Sequence, residues 1–166
     1  MISTPPSGAP LPHLQVNRVW LFPATYILHL CEEYFVAGGF PLWAQQRLGL
    51  QFDDIEFVAW NAFALVLMCV GAWLASRDPK FRFIEIALAV AVLGNVLAHV
   101  FGTLTTRTYS PGLLTGVALW IPLGVYALQS AWAASTSKAR RAGIYIGLSV
   151  VLITMAAVAA RATLGR

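Results

Sequence analysis

His29-Leu30-Cys31-Glu32-Glu33 stands inside the first apolar run of the chain, which ends at Gly38-Gly39. At about 100° per residue, His29, Glu32 and Glu33 fall within one arc of about 100° on a helix, so one face carries an imidazole and two carboxylates. The glycine pair reads as a helix stop. Two acids in the closing turns of a helix oppose its macrodipole, and an apolar setting adds a desolvation penalty to each. Either a cation or proton donor sits there, or these acids lie at the water line.

Composition bounds the rest. The 166 residues are 58% hydrophobic and 11% charged, against the ~25% charged residues of a soluble domain, which is the balance of a membrane protein. The length suits one compact bundle without a separate soluble domain. The formal charge of +4 sits mostly between the apolar runs, which speaks against nucleic acid as a partner. Cys31 and Cys69 both lie in apolar runs and read as small buried hydrophobes, with no disulfide framework or CxxC site. Residues 1–17 are Pro/Ser-rich and lack a basic n-region and a cleavage site, so they read as a disordered tail, not a signal peptide. His13 in that tail is given no role. Residues 18–162 form a single multi-pass domain on this reading.

Five apolar runs, at 19–37, 57–75, 83–104, 113–134 and 142–160, each approach the ~20 residues that cross a ~30 Å hydrocarbon core. Backbone amides in lipid must be satisfied within their own segment, so the expected fold is all-α, an integral-membrane bundle of about five transmembrane helices. The first run carries Pro23 and three ionisable groups, which leaves a re-entrant or interfacial helix as the alternative there. Seven basic residues (Arg18, Arg77, Lys80, Arg82, Lys138, Arg140 and Arg141) share one side of this topology, and Arg47, Arg107, Arg161 and Arg166 the other. That bias predicts a cell-membrane protein with a cytoplasmic N-terminus.

Counting ~1.5 Å per residue from the helix ends places His29 about 12 Å deep, Asn95 about 13 Å, His99 about 7 Å, and Glu33 and Asn61 about 6 Å, with Thr115 shallower. Helix parity alone puts all of them in one leaflet. Asn95 and His99, spaced i, i+4, face the same way. Ionisable residues within a span usually face the bundle interior with a partner. His29, Glu33 and His99 therefore make a candidate 2-His-1-carboxylate metal set, with Glu32 as a fourth ligand or a base. Such a set suits zinc or iron with open positions, or a dimetal centre if both acids bridge. Glu32 and Glu33 are the candidate proton-moving residues, and Asn61 and Asn95 could orient ligands from behind.

Plainer roles cover much of the remainder. Tyr26, one turn below His29, reads as core packing ahead of a proton relay. Asp53, Asp54 and Glu56 read as an N-cap and first-turn charges, and Glu85 as an acid at a helix start. The tryptophans at 20, 43, 60, 73, 120 and 132 fit an interfacial belt. Pro122 is expected to kink its helix. Tyr109-Ser110-Pro111-Gly112 reads as a tight loop, or as a lid over the mouth of the site.

The blocks HLCEEYFVAGGFPLW at 29–43, NVLAH at 95–99 and YSPG at 109–112, followed by Thr115 and Pro122, resemble the HXXEE family of small integral-membrane proteins. The resemblance runs over nearly the whole chain from Val19, and only the Gly38-Gly39 spacing is stricter than expected. The family is functionally uncharacterised, so the resemblance implies a membrane fold and makes His29, Glu32 and Glu33 suspects for metal binding or catalysis, without naming a reaction. Four functions are open on the sequence. The first is a metal-dependent hydrolase or oxidoreductase acting on a lipophilic small molecule drawn from the bilayer. The second is a metal-free acid–base isomerase or cyclase on the same residues. The third is ion or proton transport, against which the short, repeat-free helices count. The fourth is a scaffold whose polar cluster only ties helices together. Oligomeric state is open as well; Gly and Ala in the last run would permit close helix contacts.

Overall fold

The computed structural model describes residues 18–51 and 53–164, so the expected tail at 1–17 lies outside the described residues. The described chain is an all-α bundle without a strand. A 3₁₀ turn at Arg18–Trp20 leads into α1 (Leu21–Phe35); α2 (Phe40–Leu48), α3 (Asp54–Arg77) and α4 (Phe83–Thr106) follow. The last two helices are α5 (Leu113–Ala133), interrupted by a π-helical turn at Gly116–Trp120, and α6 (Ser137–Leu164).

Four helical segments are long and apolar enough to cross a membrane: α3, the segment Pro79–Thr106 that contains α4, α5, and α6 up to Arg161. The first apolar run stands apart from these. Its α-helix has 15 residues, a rise of about 22 Å. Phe22, Tyr26, His29 and Glu33 follow one another at steps of four, three and four, and all are buried, while Ile27, Leu28 and Phe35 on other faces are exposed. Thus α1 turns one stripe into the bundle, apolar at its start and ionisable at its end.

The core gathers on that stripe: Val19, Phe22 and Tyr26 pack with Ala72 of α3, Ala89, Val92 and Val96 of α4, and Trp120 and Ala127 of α5. α4 is the central helix, in contact with α3, α5 and α6. Gly143 and Gly147 of α6, one turn apart, press on α4 so closely that an added Cβ would lie 2.6 Å from the Phe83 carbonyl and 2.7 Å from that of Ala87. Small residues permit this approach where lipid offers no hydrophobic drive between helices. The glycines of the last run therefore serve packing within the chain.

Several local expectations meet the structure. Asp53 caps α3 through the Ile55 amide at 3.0 Å. Glu85 is buried and held by Arg18 at 2.8 Å, which ties the chain's entry to the start of α4. Glu56 and Arg161 join the start of α3 to the end of α6. Pro122 follows the π turn by two residues; proline lacks an amide and crowds the carbonyl four residues earlier, and a widened turn relieves both.

Three expectations are corrected. Cys31 is exposed on the outer face and Cys69 is half-buried, so neither is a core residue. Trp120 is 1% exposed and Trp43 is buried, so these two do not belong to an interfacial belt. The short helix α2 has no counterpart in the five expected runs. Its sequence signs are local: Pro41 in the first turn, and Gly49 in the left-handed conformation (φ 68°) at its end. Gly39 before it has φ 88°, and a Cβ there would sit 2.9 Å from the Tyr34 carbonyl, so the turn from α1 into α2 needs glycine.

Candidate functional site

The ends of α1 and α4, the starts of α3 and α5, and the loop 107–112 meet at one end of the bundle. Their sequence dictates what gathers there. His29 and Glu33 are one turn apart on α1, and His99 faces them from α4 across a ring–ring distance of 5.2 Å with the two imidazoles nearly perpendicular. His99 Nε2 is 3.2 Å and His29 Nε2 is 3.4 Å from the same oxygen, Glu33 Oε1. Ligand atoms of the three residues all lie within 4.8 Å of one another, and all three residues are buried. The three side chains singled out as a metal set are thus brought together.

Glu32 goes elsewhere. On a helix it lies about 60° to one side of His29 and Glu33 about 40° to the other, so adjacent acids point into different surroundings. The Glu32 carboxylate enters the start of α5. Oε1 accepts hydrogen bonds from the Gly112 amide at 3.0 Å, the Leu114 amide at 2.9 Å and the Tyr109 hydroxyl. Oε2 accepts from the Thr115 amide at 2.6 Å and from the Thr115 hydroxyl. The unpaired amides of a first helical turn, at the positive end of the macrodipole, are a natural seat for an anion, here supplied by another helix of the same chain. Of the two settings open to these acids, donors or the water line, Glu32 has the first: it is buried and meets five donors.

The loop Tyr109-Ser110-Pro111-Gly112 is the seat of the site and not a lid over it. Ser110 is buried, and its Oγ lies 3.0 Å from His99 Nδ1. Thr115 Oγ1 lies 2.9 Å from His29 Nδ1. Each imidazole therefore has its Nδ1 anchored to a hydroxyl and its Nε2 turned toward Glu33. Gly112 (φ 102°) lies against both rings; a Cβ there would stand 2.6 Å from His99 Cε1 and 2.8 Å from His29 Cε1. Burial and the Glu32 carboxylate beside it push the Tyr109 phenol up to about 12.

Aromatic rings close the remaining sides. Trp120 lies against His29 at 3.8 Å between centroids, and its indole N–H donates to Thr25. Phe40 of α2 meets His99 edge-on at 5.8 Å. Trp43 covers Gly102 and donates to Thr108 at 3.0 Å.

Tyr26, read as core packing, and Asn61 and Asn95, expected behind the ligands, divide. Tyr26 stacks on Trp120 and donates to Asn61 Oδ1 at 2.6 Å, while Asn61 Nδ2 donates to the Phe57 carbonyl. This pair ties α1 to α3 below the site and contacts neither imidazole nitrogen. Asn95 Oδ1 is buried and, among the described residues, has no hydrogen-bond partner. Ser110, Gly112 and Trp120 are the members that the sequence did not single out, while helix parity had put Thr115 at this level without a partner. The block YSPG followed by Thr115 is the available sign of the first two, and nothing in the sequence marks Trp120.

No curated protein and no solved structure matches the chain. One family model matches residues 20–127, which takes in α1 to most of α5 and the whole site but leaves α6 outside, a shorter span than the resemblance from Val19 onward implied. The chain belongs to the family described as proteins of unknown function with an HXXEE motif, and the structure shows that the motif's histidine and second glutamate face a common centre while its first glutamate holds the start of another helix.

Proposed function

We propose that this is a cell-membrane metalloprotein in which His29, His99 and Glu33 hold one divalent ion, zinc or iron, and that it works as a metal-dependent hydrolase or oxidoreductase on a lipophilic small molecule. One observation supports the reading above the others. His29 Nε2 is buried with no hydrogen-bond partner among the described residues, although it lies next to a carboxylate oxygen that also faces His99 Nε2. An orphaned polar atom costs roughly 1–3 kcal/mol, and a cation held by these three residues would remove the cost. Two imidazoles and one carboxylate are a donor set that leaves positions open on zinc or iron.

When bound, such an ion supplies a Lewis acid that polarises a carbonyl or phosphoryl oxygen or lowers the pKa of a water. The chain's own residues do the rest. Ser110 and Thr115 orient the two rings, as outer-shell partners of metal-bound histidines do. Trp120 and Phe40 keep water from the imidazoles. Of the two acids Glu33 is the one to move a proton, through the carboxylate oxygen that does not face the imidazoles, because both oxygens of Glu32 are engaged. The basic residues put the N-terminus in the cytoplasm, with the site in the opposite leaflet and substrate arriving through lipid.

Elemental analysis of the detergent-purified protein tests this reading. About one equivalent of zinc, iron or manganese is expected, falling to background in His99→Ala. A metal-free wild-type protein that is folded and active overturns it. The same Nε2–Oε1 distances of 3.2 and 3.4 Å are within ion-pair range and favour, as the second reading, a metal-free acid–base pair.

A further inference from the structure

The hydrogen bonds around Thr115 carry more information than their lengths. Glu32 receives three backbone amides and two hydroxyls, the setting of an ionised carboxylate, which only accepts. The Thr115 hydroxyl has a single proton, and of its neighbours Glu32 Oε2, which can only accept, lies nearest, ahead of the Gly112 carbonyl at 3.5 Å, so the proton goes to Glu32. Lone pairs alone are left for His29 Nδ1, 2.9 Å away. That nitrogen must then carry a hydrogen, because two lone pairs facing each other at this distance would repel. In a neutral imidazole the other nitrogen, Nε2, is bare. Nε2 is the atom that is buried without a partner and turned toward Glu33.

We infer that Thr115 is a positioning residue: the chain Glu32–Thr115–His29 fixes the Nδ1–H tautomer of His29 and reserves Nε2 as an electron-pair donor. The use of that donor rests on the metal-centre reading; the tautomer itself does not, because a bare Nε2 meets Glu33 Oε1 only at 3.4 Å, a weaker repulsion than Thr115 Oγ1 would meet against the closer Glu32 Oε2 if its proton turned to Nδ1. Ser110 stands differently, since no carboxylate fixes the direction of its hydroxyl, and it can serve either tautomer of His99.

The helix that carries Thr115 is shaped for the task. Thr115 and Trp120 are five residues apart, yet both contact His29, one at the ring edge and one at its face. In a regular α-helix five steps of about 100° would leave these positions about 140° apart around the axis. The π turn at Gly116–Trp120 has an i→i+5 repeat and brings them round to the same side.

The test is a long-range proton–nitrogen correlation spectrum of protein with ¹⁵N-labelled imidazoles, stripped of metal with a chelator and held where imidazole is neutral. The His29 signals are assigned by their loss in His29→Asn. Wild type and Thr115→Ser are expected to show the Nδ1–H pattern, and Thr115→Val to lose it, with zinc affinity falling about 10–100-fold in Thr115→Val alone. An Nε2–H pattern in wild type overturns the inference, as does Thr115→Val keeping both the Nδ1–H pattern and full zinc affinity. Should Thr115→Val fail to fold, the wild-type pattern and its retention in Thr115→Ser still decide. Failure of the two readings is distinguishable: an Nδ1–H pattern in a protein that takes up no zinc sinks the metal centre and leaves the positioning role of Thr115. The opposite tautomer in a protein that binds zinc sinks that positioning role alone.

Discussion

Glu32 and Thr115, 83 residues apart in the chain, meet at 2.6 Å between carboxylate and backbone amide, and that contact seats the start of α5 on the end of α1. Because Thr115 also meets His29, the same contact places one imidazole of the candidate centre. The two glutamates of the motif therefore divide the work: Glu32 builds the site and Glu33 faces into it.

Glu32→Gln is expected to cost about 2–4 kcal/mol of stability, since an amide in place of one oxygen sets a donor against backbone donors. Equilibrium unfolding in mixed micelles measures it. A loss below about 0.5 kcal/mol, the range of an ordinary surface change, would show that the five hydrogen bonds are not what holds α5.

Glu33→Gln should behave in the opposite way. Its carboxylate is buried between two Nε2 atoms, and the introduced amide removes a costly charge and can donate to the orphaned His29 nitrogen. Stability is expected within about 1 kcal/mol of chelator-stripped wild type, while bound metal, with the stability it adds to the loaded wild type, is lost. A strongly destabilised Glu33→Gln protein would mean that the carboxylate is a structural tie.

Gly112→Ala meets two obstacles together: a φ of 102° and a Cβ within 2.6 and 2.8 Å of the two imidazoles. Strain and overpacking together predict a loss of about 2–5 kcal/mol, with metal content falling in parallel. Thermal unfolding and elemental analysis of the same sample would check both.

Tyr109 gives the site an alkaline limit. Its pKa is raised to about 12, so its contribution to stability is fully present below the unfolded value near 10. That contribution is lost as pH rises from there through about 12. Unfolding measured between these limits, with the tyrosinate absorbance followed alongside, should show the decline in wild type and a smaller one in Tyr109→Phe. Equal declines in the two proteins would remove Tyr109 as the cause.

How much could be read without coordinates differs by residue. His29, Glu33 and His99 were legible because ionisable groups in an apolar run are costly and because helix parity puts NxxxH at the level of HxxEE. The separate use of Glu32 was not. Both acids fall within one arc around His29, and which neighbour each meets is decided by α5, a helix far away in sequence. Periodicity found the long helices but passed over α2, whose nine residues are too few to register as a span. The role of Ser110-Pro111-Gly112 was hidden for a related reason: a turn signal reports the backbone and is silent on what the turn is folded against. Trp120 looked like one more interfacial tryptophan because the π turn that swings it onto His29 has no pattern of its own.

Anomalous diffraction from crystals of the purified protein, collected on either side of the zinc and iron absorption edges, bears most directly on the central claim. The account predicts a single peak between Nε2 of His29, Nε2 of His99 and the Glu33 carboxylate, absent in His99→Ala. A fully folded, active protein with no peak there, or with metal bound only elsewhere, would contradict it.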